Sequence, residues 1–383
     1  MHIVIVSDSF KGAITSREAH DAIARGVRRA VPQARITAIP VADGGEGTVD
    51  AMLAAGGGDS AVAEVCGVFP GERVHARYGR LDSTTAIVEM AECAGLPLAD
   101  GRRQTEEATT YGVGELIREA VETGCRHVIV GAGGSATTDL GCGAAAALGV
   151  VFRDDEGEEF VPVGRTLSNV ASIDTSGARR LLENVTLTVM CDIDNPLAGT
   201  TGAAHVFAPQ KGADNATVQI LDQGLSHVAS LMARDHGIDI ADIPGAGAAG
   251  GLAGGLMAFC GATLKPGIDA VLEAADFAAV IADADLIITG EGRIDGQSLS
   301  GKVPVGVARW AKRYRDDLPV VVLAGSIGPD IDEVYGEGIT AVFPIGRAPE
   351  PLHDAIEHTE ENLAASAHSL VRLCSTIAQS VSS

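Results

Sequence analysis

Apolar residues recur with two different periods along this chain, and the places where the period changes set out its organisation. Residues 2–7 form a continuous apolar run of strand length, the pattern of a strand buried on both faces. From Thr15 the period lengthens: Ala19, Ile23, Val27 and Ala30 share one helical face, and Thr15 with Glu18 has the spacing of a capping box. Pro32 ends that helix, residues 35–41 predict a second strand, 47–55 a helix and 61–66 a third strand. This β-α-β-α-β rhythm predicts a parallel sheet with right-handed crossovers.

The rhythm then breaks. Arg73–Arg80 and Thr85–Met90 read as successive strands joined by a turn at Leu81-Asp82-Ser83, an antiparallel hairpin. A helix at 106–123, the strand His127–Val130, an Ala-rich helix at 141–148, the strand Thr186–Cys191 and a helix at about 215–235 follow, with Gly-rich 244–255 after them. From about 285 the simple alternation resumes: strand Asp285–Thr289, helix 303–314, strand Val320–Leu323, a short helix near 330–336, strand Ile339–Phe343 and a long C-terminal helix. The expected organisation is one parallel α/β domain, residues 1–65 and 283–383, split by an inserted mixed α/β domain, residues 66–282. Two chain crossings would then create an interdomain cleft, the expected place for an active site.

Composition narrows the function. A formal charge of −23 with scattered Lys and Arg excludes a basic face for nucleic acid or an anionic membrane. An anionic substrate would therefore need local positive charge from a lysine, an arginine, backbone N–H groups or a metal. Aromatic residues make up 3% of the chain, so the core rests on Val, Ile, Leu and Ala, which suits close helix-on-sheet packing. The seven cysteines are widely spaced without C-x-x-C and predict buried thiols rather than disulfides or zinc. No apolar run approaches the roughly 18 residues of a membrane helix, and the N-terminus lacks a signal-peptide pattern. A cytoplasmic enzyme is expected, with homo-oligomerisation left open.

Candidate chemistry lies in polar, glycine-rich loops after strands, where ligands of parallel sheets gather. Strand 2–7 runs into Asp8-Ser9-Phe10-Lys11-Gly12, fit for a hydroxyl or metal and a phosphate, or simply an Asp turn with a solvated lysine. The second strand runs into Asp43-Gly44-Gly45-Glu46-Gly47-Thr48, where Asp43 and Glu46 could hold Mg²⁺; Glu46 equally fits a helix dipole. Gly131–Asp139, with Gly133, Gly134, Ser135 and Thr137, has the composition of an anion-binding nest, and its first part matches the weak dinucleotide pattern G-x-G-x-x-A. Pro244–Gly251 gives a second G-x-G-x-x-G, better read as a turn opening a helix. Strand 186–191 ends in Asp192-Ile-Asp194-Asn195, Lys211 follows at the end of Phe207-Ala-Pro-Gln-Lys211, and strand 285–289 ends in Gly290-Glu291-Gly292-Arg293-Ile-Asp295. Residues 296–303 miss the P-loop pattern at Val303, and no histidine has catalytic or zinc spacing.

Seven of these motifs, in this order and over nearly the whole chain, closely resemble the type I glycerate kinases. They are Asp8–Gly12, Ala42–Thr48, Gly133–Asp139, Cys191–Leu197, Phe207–Ala213, Pro244–Gly251 and Thr289–Asp295 with Gly301-Lys302. The departures are small: Val6-Ser7 stands where relatives often carry Ala-Pro, and Ser298 where Thr is usual. The resemblance implies ATP- and Mg²⁺-dependent phosphorylation of D-glycerate, commonly at the 2-hydroxyl. It also implies a flavodoxin-like domain interrupted by a restriction-endonuclease-like one.

Phosphoryl transfer needs positioning, charge neutralisation and a base near the attacking hydroxyl. On this reading Gly133, Gly134, Ser135, Thr137 and Lys211 take the nucleotide phosphates. Asp43, Glu46 or Asp295 hold Mg²⁺, and Asp8, Ser9, Asn195, Lys11 and Arg293 meet glycerate, the two cations facing its carboxylate. Asp192 is the expected base, with Asp295 next and Lys11 assisting. Two rivals stand beside it: an NAD(P)-dependent oxidoreductase built on Gly131–Ala136, and a two-domain solute-binding protein.

Overall fold

A strand with four apolar residues in a row, Ile3–Val6, needs cover on both sides, and the strand His2–Ser7 has it: all six residues are buried. It lies in a five-stranded parallel sheet between Arg35–Ala38 and Leu286–Ile294, with Val320–Ile327 and Ala341–Pro344 beyond. Numbered along this unit, the strand order is 2-1-3-4-5, the flavodoxin-like doubly wound arrangement. On one face Ile3, Ile5, Leu286, Ile288, Val321 and Leu323 pack against helices Ser16–Ala30 and Thr359–Ser382. The capping box forms as its spacing requires: Thr15 Oγ1 accepts from Glu18 N, and Thr15 N donates to Glu18 Oε2. This computed structural model describes residues 1–382 except Ala42, Asp43, Glu46, Asp100 and Gly301, and of these all side chains but those of Gln297, Ser300, Val381 and Ser382.

The chain forms two compact units, Met1–Ala42 with Ala54–Gly56 and Ile268–Ser383, and Asp43–Leu53 with Gly57–Gly267. In the first, helix Gly267–Ala274 is tied to helix Val303–Tyr314 by Trp310 Nε1, which donates to Asp269 Oδ1 at 2.7 Å.

The second unit is built on a six-stranded mixed sheet. Thr263–Lys265, Thr186–Met190, His127–Gly131 and Thr85–Glu89 run parallel, and Arg73–Arg80 and Asp59–Cys66 complete it antiparallel. A small antiparallel sheet of Val151–Arg153, Glu159–Phe160 and Ser172–Asp174 stands apart from it, and Phe152 meets Phe259 edge to face at 5.5 Å.

Two expectations about strands are corrected. Residues 61–66 do not extend the first parallel sheet; Asp59–Cys66 is the edge strand of the mixed sheet. Its exposure alternates along most of its length, the pattern of an edge strand with one wet face rather than of a doubly covered one. Strand 285–289 does not stop at Thr289. Pairing with Val320–Ile327 carries it to Ile294, so Glu291 and Arg293 are strand residues and not loop residues. All seven cysteines are free thiols. Among the described residues no helix is long and apolar enough to cross a membrane.

Candidate active site

In a doubly wound sheet of order 2-1-3-4-5 the crevice for ligands opens at the carboxyl ends of strands 1 and 3, where the order reverses. Here those ends carry Asp8, Ser9 and Lys11 on one side and Glu291, Arg293 and Asp295 on the other. Asp8 N donates to Gly290 O at 2.9 Å, and Asp8 Oδ1 accepts from Ser9 N, so the turn is fixed against the neighbouring strand. Arg293 Nε donates to Asp295 Oδ2 at 2.9 Å. Arg293 is largely exposed while the Asp295 side chain is not, so this guanidinium already has a carboxylate partner. Lys11 is exposed.

Glu291 was not singled out by sequence reasoning. It is buried, Ser298 Oγ donates to its Oε1 at 2.8 Å, and Lys302 Nζ lies 3.9 Å from its Oε2. Burial pushes its carboxyl up to about 7, against the pull of Ser298 and Lys302 and with the help of Asp8 and Asp295. A glutamate directly after the run Leu286–Gly290, whose residues are all buried, is the available signal. It was lost when the strand was ended at Thr289.

The second unit holds a cavity of about 760 Å³ at the carboxyl ends of its parallel strands. Its lining includes Glu89, Glu92, Gly133, Gly134, Ser135, Asp192 and Lys211, with Leu96, Pro97, Leu98 and Phe207 as an apolar side. Lys211 sits in the short turn Pro209–Lys211 and is 2% exposed. Its Nζ donates to Ser135 Oγ and to Thr137 O, both at 2.7 Å. Burial lowers its ammonium to about 7, with buried Asp139 pulling the other way. Asp139 accepts from Thr110 N and Oγ1 and from the Gly141 and Gly143 amides, which anchors the far end of the loop.

The glycines of this loop serve packing before they serve a ligand. Gly133 N donates to Gly44 O at 2.8 Å, and a Cβ on Gly133 would lie 2.5 Å from Gly45 Cα. A Cβ on Gly131 would lie 2.6 Å from Gly44 O. So the first two glycines of the G-x-G-x-x-A pattern face another backbone, and the next helix begins only at Cys142. A dinucleotide turn needs those glycines to face a pyrophosphate, and that reading falls. What remains open to a ligand is one step further on: Gly134, at φ +74°, and Ser135, whose amides have no partner among the described residues. Pro244–Gly251 is, as expected, a turn opening the helix Leu252–Cys260.

Cavity and sequence candidates overlap only in part. Gly133, Gly134, Ser135, Lys211 and Asp192 border it, while Thr137 lies beneath, its Oγ1 buried without a hydrogen-bond partner. Asp192 is exposed, and its Oδ1 accepts from Gly267 N at 2.7 Å. Asn195 does not line the cavity; its amide donates to Thr201 O and so braces its own loop. Asp43 and Glu46 lie outside the described residues. The helix Thr48–Gly56 that follows them is capped instead by Glu89, which accepts from the Val49 and Gly47 amides. That carboxylate, buried at a strand end and raised by burial, was also missed; it closes strand Thr85–Glu89. Among the described residues no cluster of three or more His, Cys, Asp or Glu is arranged to hold a metal.

A flavodoxin-like unit interrupted by a mixed α/β unit, with glycine-rich loops at the carboxyl ends of its strands, is the architecture of an α/β enzyme. The chain belongs to the glycerate kinase family: the sequence profile of that family matches residues 3–375. It is 47% identical to a glycerate kinase of Bacillus subtilis (strain 168), over 97% of each chain. It is 44% identical to a glycerate 2-kinase of Escherichia coli (strain K12), over 95% of each. The crystal structure of a protein assigned as glycerate kinase 2 from Salmonella typhimurium LT2 superposes with a TM-score of 0.83 at 43% identity, covering 99% of both chains.

Proposed function

We propose that the chain transfers the γ-phosphoryl group of ATP to the 2-hydroxyl of D-glycerate, giving 2-phosphoglycerate, with Mg²⁺. Family membership supports the reaction class. The observation that carries the site is Lys211, buried against Ser135 and Thr137 behind the amides of Gly134 and Ser135, which have no partner among the described residues. Backbone amides at a strand-end loop with a lysine behind them are a phosphate cradle. The apolar side formed by Leu96, Pro97, Leu98 and Phe207 suits a purine ring.

In this reading the amides of Gly134 and Ser135 and the Ser135 hydroxyl orient the phosphates, and Lys211 offsets their charge. Asp192, exposed in the same cavity and steadied by the Gly267 amide, takes the proton of the attacking hydroxyl. The acceptor's carboxylate is assigned to Lys11 or Arg293, Lys11 being favoured because Arg293 already pairs with Asp295. Asp8 and Ser9 at the same strand end are assigned to the acceptor's hydroxyls. Mg²⁺ supplies neutralisation of the charge on the transferring group. One or two protein carboxylates would suffice to hold it, so the lack of a three-residue cluster among the described residues is compatible with its binding. Asp43, Glu46 and Asp295 are its candidate ligands. A cytoplasmic location is part of the same proposal.

The test is the product. Phosphorus NMR of purified protein with ATP, Mg²⁺ and D-glycerate is expected to show 2-phosphoglycerate. Accumulation of 3-phosphoglycerate would overturn the regiochemistry, and no phosphoglycerate at all would overturn the activity.

A further inference from the structure

Lys211 is the one lysine or arginine bordering the second unit's cavity among the described residues, and it is held in an unusual way. Its Nζ donates to two neutral acceptors, Ser135 Oγ and Thr137 O, and no carboxylate among the described residues forms an ion pair with it. A neutral amine has two N–H bonds, which these two acceptors use up; an ammonium has a third, for which no acceptor stands among the described residues. A buried charge without a counter-ion is costly, so the free protein favours the amine. The amine's tendency to stay neutral is consistent with the downward push of burial on this group, to about 7.

The other charged groups around it do not supply that counter-ion. Buried Asp139, on the same loop, favours the ammonium through its charge, but its hydrogen bonds come from Thr110, Gly141 and Gly143 and it makes no ion pair with Nζ, so it offsets the burial only in part. Glu89 at its strand end, Glu92 on the helix Ala91–Ala94 and His75 within the strand Arg73–Arg80 line the cavity with Asp192, and the hydrogen bonds of Nζ go to Ser135 and Thr137. On the adjoining helix Ala203–Phe207, His205 is turned to Asp222 at 3.9 Å. Gly212 packs against the backbone and Cβ of Arg103, whose side chain is no lining residue.

We propose that the phosphate group bound in this cavity is the counter-ion Lys211 lacks, and that binding it is coupled to uptake of one proton at Nζ. The step balances simply: the amine takes a proton from solvent, keeps its two hydrogen bonds and turns the new N–H toward the phosphate oxygen. Above neutral pH Lys211 thereby holds the Ser135 loop in both states and becomes fully charged only when the cavity is filled. The cavity would discriminate for dianionic phosphate ligands over neutral ones of the same shape. This inference rests on the reading of the cavity as the nucleotide site.

Titration calorimetry of the wild-type protein with Mg·ATP at pH 8, in two buffers of different ionisation enthalpy, reads the coupling directly. ATP is fully ionised there, so the ligand contributes no proton of its own. The expected result is a buffer-dependent heat corresponding to roughly one proton taken up, with Kd rising up to about tenfold per pH unit above neutrality. Equal heats in both buffers and a pH-independent Kd, with binding intact, overturn the coupling. Lys211→Met separates that failure from failure of the site: weakened binding with no uptake in either protein sinks only the coupling. Unchanged Kd and unchanged uptake in Lys211→Met place the nucleotide elsewhere and sink both. Should Lys211→Met not fold, Lys211→Arg, permanently charged, is expected to bind without proton uptake, and uptake equal to wild type would refute the assignment.

Discussion

Ser298 Oγ donates to Glu291 Oε1 at 2.8 Å with both side chains buried, so a glutamate carboxyl is held inside the carboxyl end of a central strand. The neighbouring Asp8 and Asp295 disfavour its ionised form and Lys302 favours it, so its protonation reports on these three charges.

A folded carboxyl raised from 4.5 to about 7 binds a proton that the unfolded chain has already released, over the window between those values. Stability is therefore lost as pH rises through that window, by about 3 kcal/mol for this group at about 1.36 kcal/mol per pH unit. Glu291→Gln keeps the shape and the Ser298 contact but removes the titration. Urea unfolding at pH 5 and pH 8 is expected to show the variant gaining on wild type by that order as pH rises. A constant difference between the two proteins would contradict the assignment. Ser298→Ala removes the hydrogen bond that favours ionisation, so it pushes the Glu291 carboxyl further up.

Gly133 and Gly134 are neighbours with different tasks. A Cβ at Gly133 would meet Gly45 Cα at 2.5 Å and Gly45 N at 2.7 Å, and neither is the movable end of a side chain. Gly133→Ala must part the two loops, at a cost of about 1–3 kcal/mol or more. Gly134 has room, with its nearest neighbour at 3.4 Å, but sits at φ +74°, so alanine there costs about 1 kcal/mol of backbone strain. Gly133→Ala is expected to lower the melting temperature by several degrees. Gly134→Ala should change it less while raising KM for ATP, if the phosphates sit on the Gly134 and Ser135 amides as proposed. Equal melting shifts would show that the loops are not packed as described.

The contrast shows what the sequence could and could not convey. The buried strand His2–Ser7 and the helix capped by Thr15 were legible because periodicity and capping are local properties. The edge strand Asp59–Cys66 was misplaced because its partner is chosen by tertiary pairing, and its alternation was passed over in favour of the preceding rhythm. Glycine-rich loops were legible as special, but glycine does not say whether it makes room for a ligand or for another backbone. At Gly131 and Gly133 it is the backbone, at Gly134 the cavity. Glu89 and Glu291 were missed for one reason: a buried carboxylate is recognisable only when its donors are known, and these come from distant segments or from a turn beyond the strand end.

Asp192→Asn preserves an oxygen that can accept from the Gly267 amide, so the loop should hold. Loss of a general base commonly costs 10²- to 10⁴-fold in rate, and kcat is expected to fall by about that range with the melting temperature nearly unchanged. Asp192→Ala should lose both, because the Gly267 N–H is left without this acceptor. A kcat within a few-fold of wild type for Asp192→Asn would move the role to Asp295.

His20 presents the opposite linkage from Glu291. Its Nε2 lies at the end of the first strand, just before Asp8, 2.9 Å from Ser7 N and 3.1 Å from Ser7 O; it accepts from the N–H when it carries no proton and donates to the carbonyl when it does, and burial favours the neutral ring. Burial lowers its imidazole to about 4, against small opposing pulls from Ser7 and Asp21. Between about 4 and 6.5 the unfolded chain binds a proton that the folded one refuses, so stability is lost as pH falls through that window, by about 3 kcal/mol. His20→Gln, whose amide oxygen can replace the acceptor, is expected to flatten the acid side of the stability profile while leaving the neutral side unchanged. Proton NMR gives an independent reading: the His20 ring signal in the folded protein should not move between pH 8 and 5.5. A midpoint near 6.5 would mean the ring is not the acceptor for Ser7, and that the strand end presenting Asp8 is held in some other way.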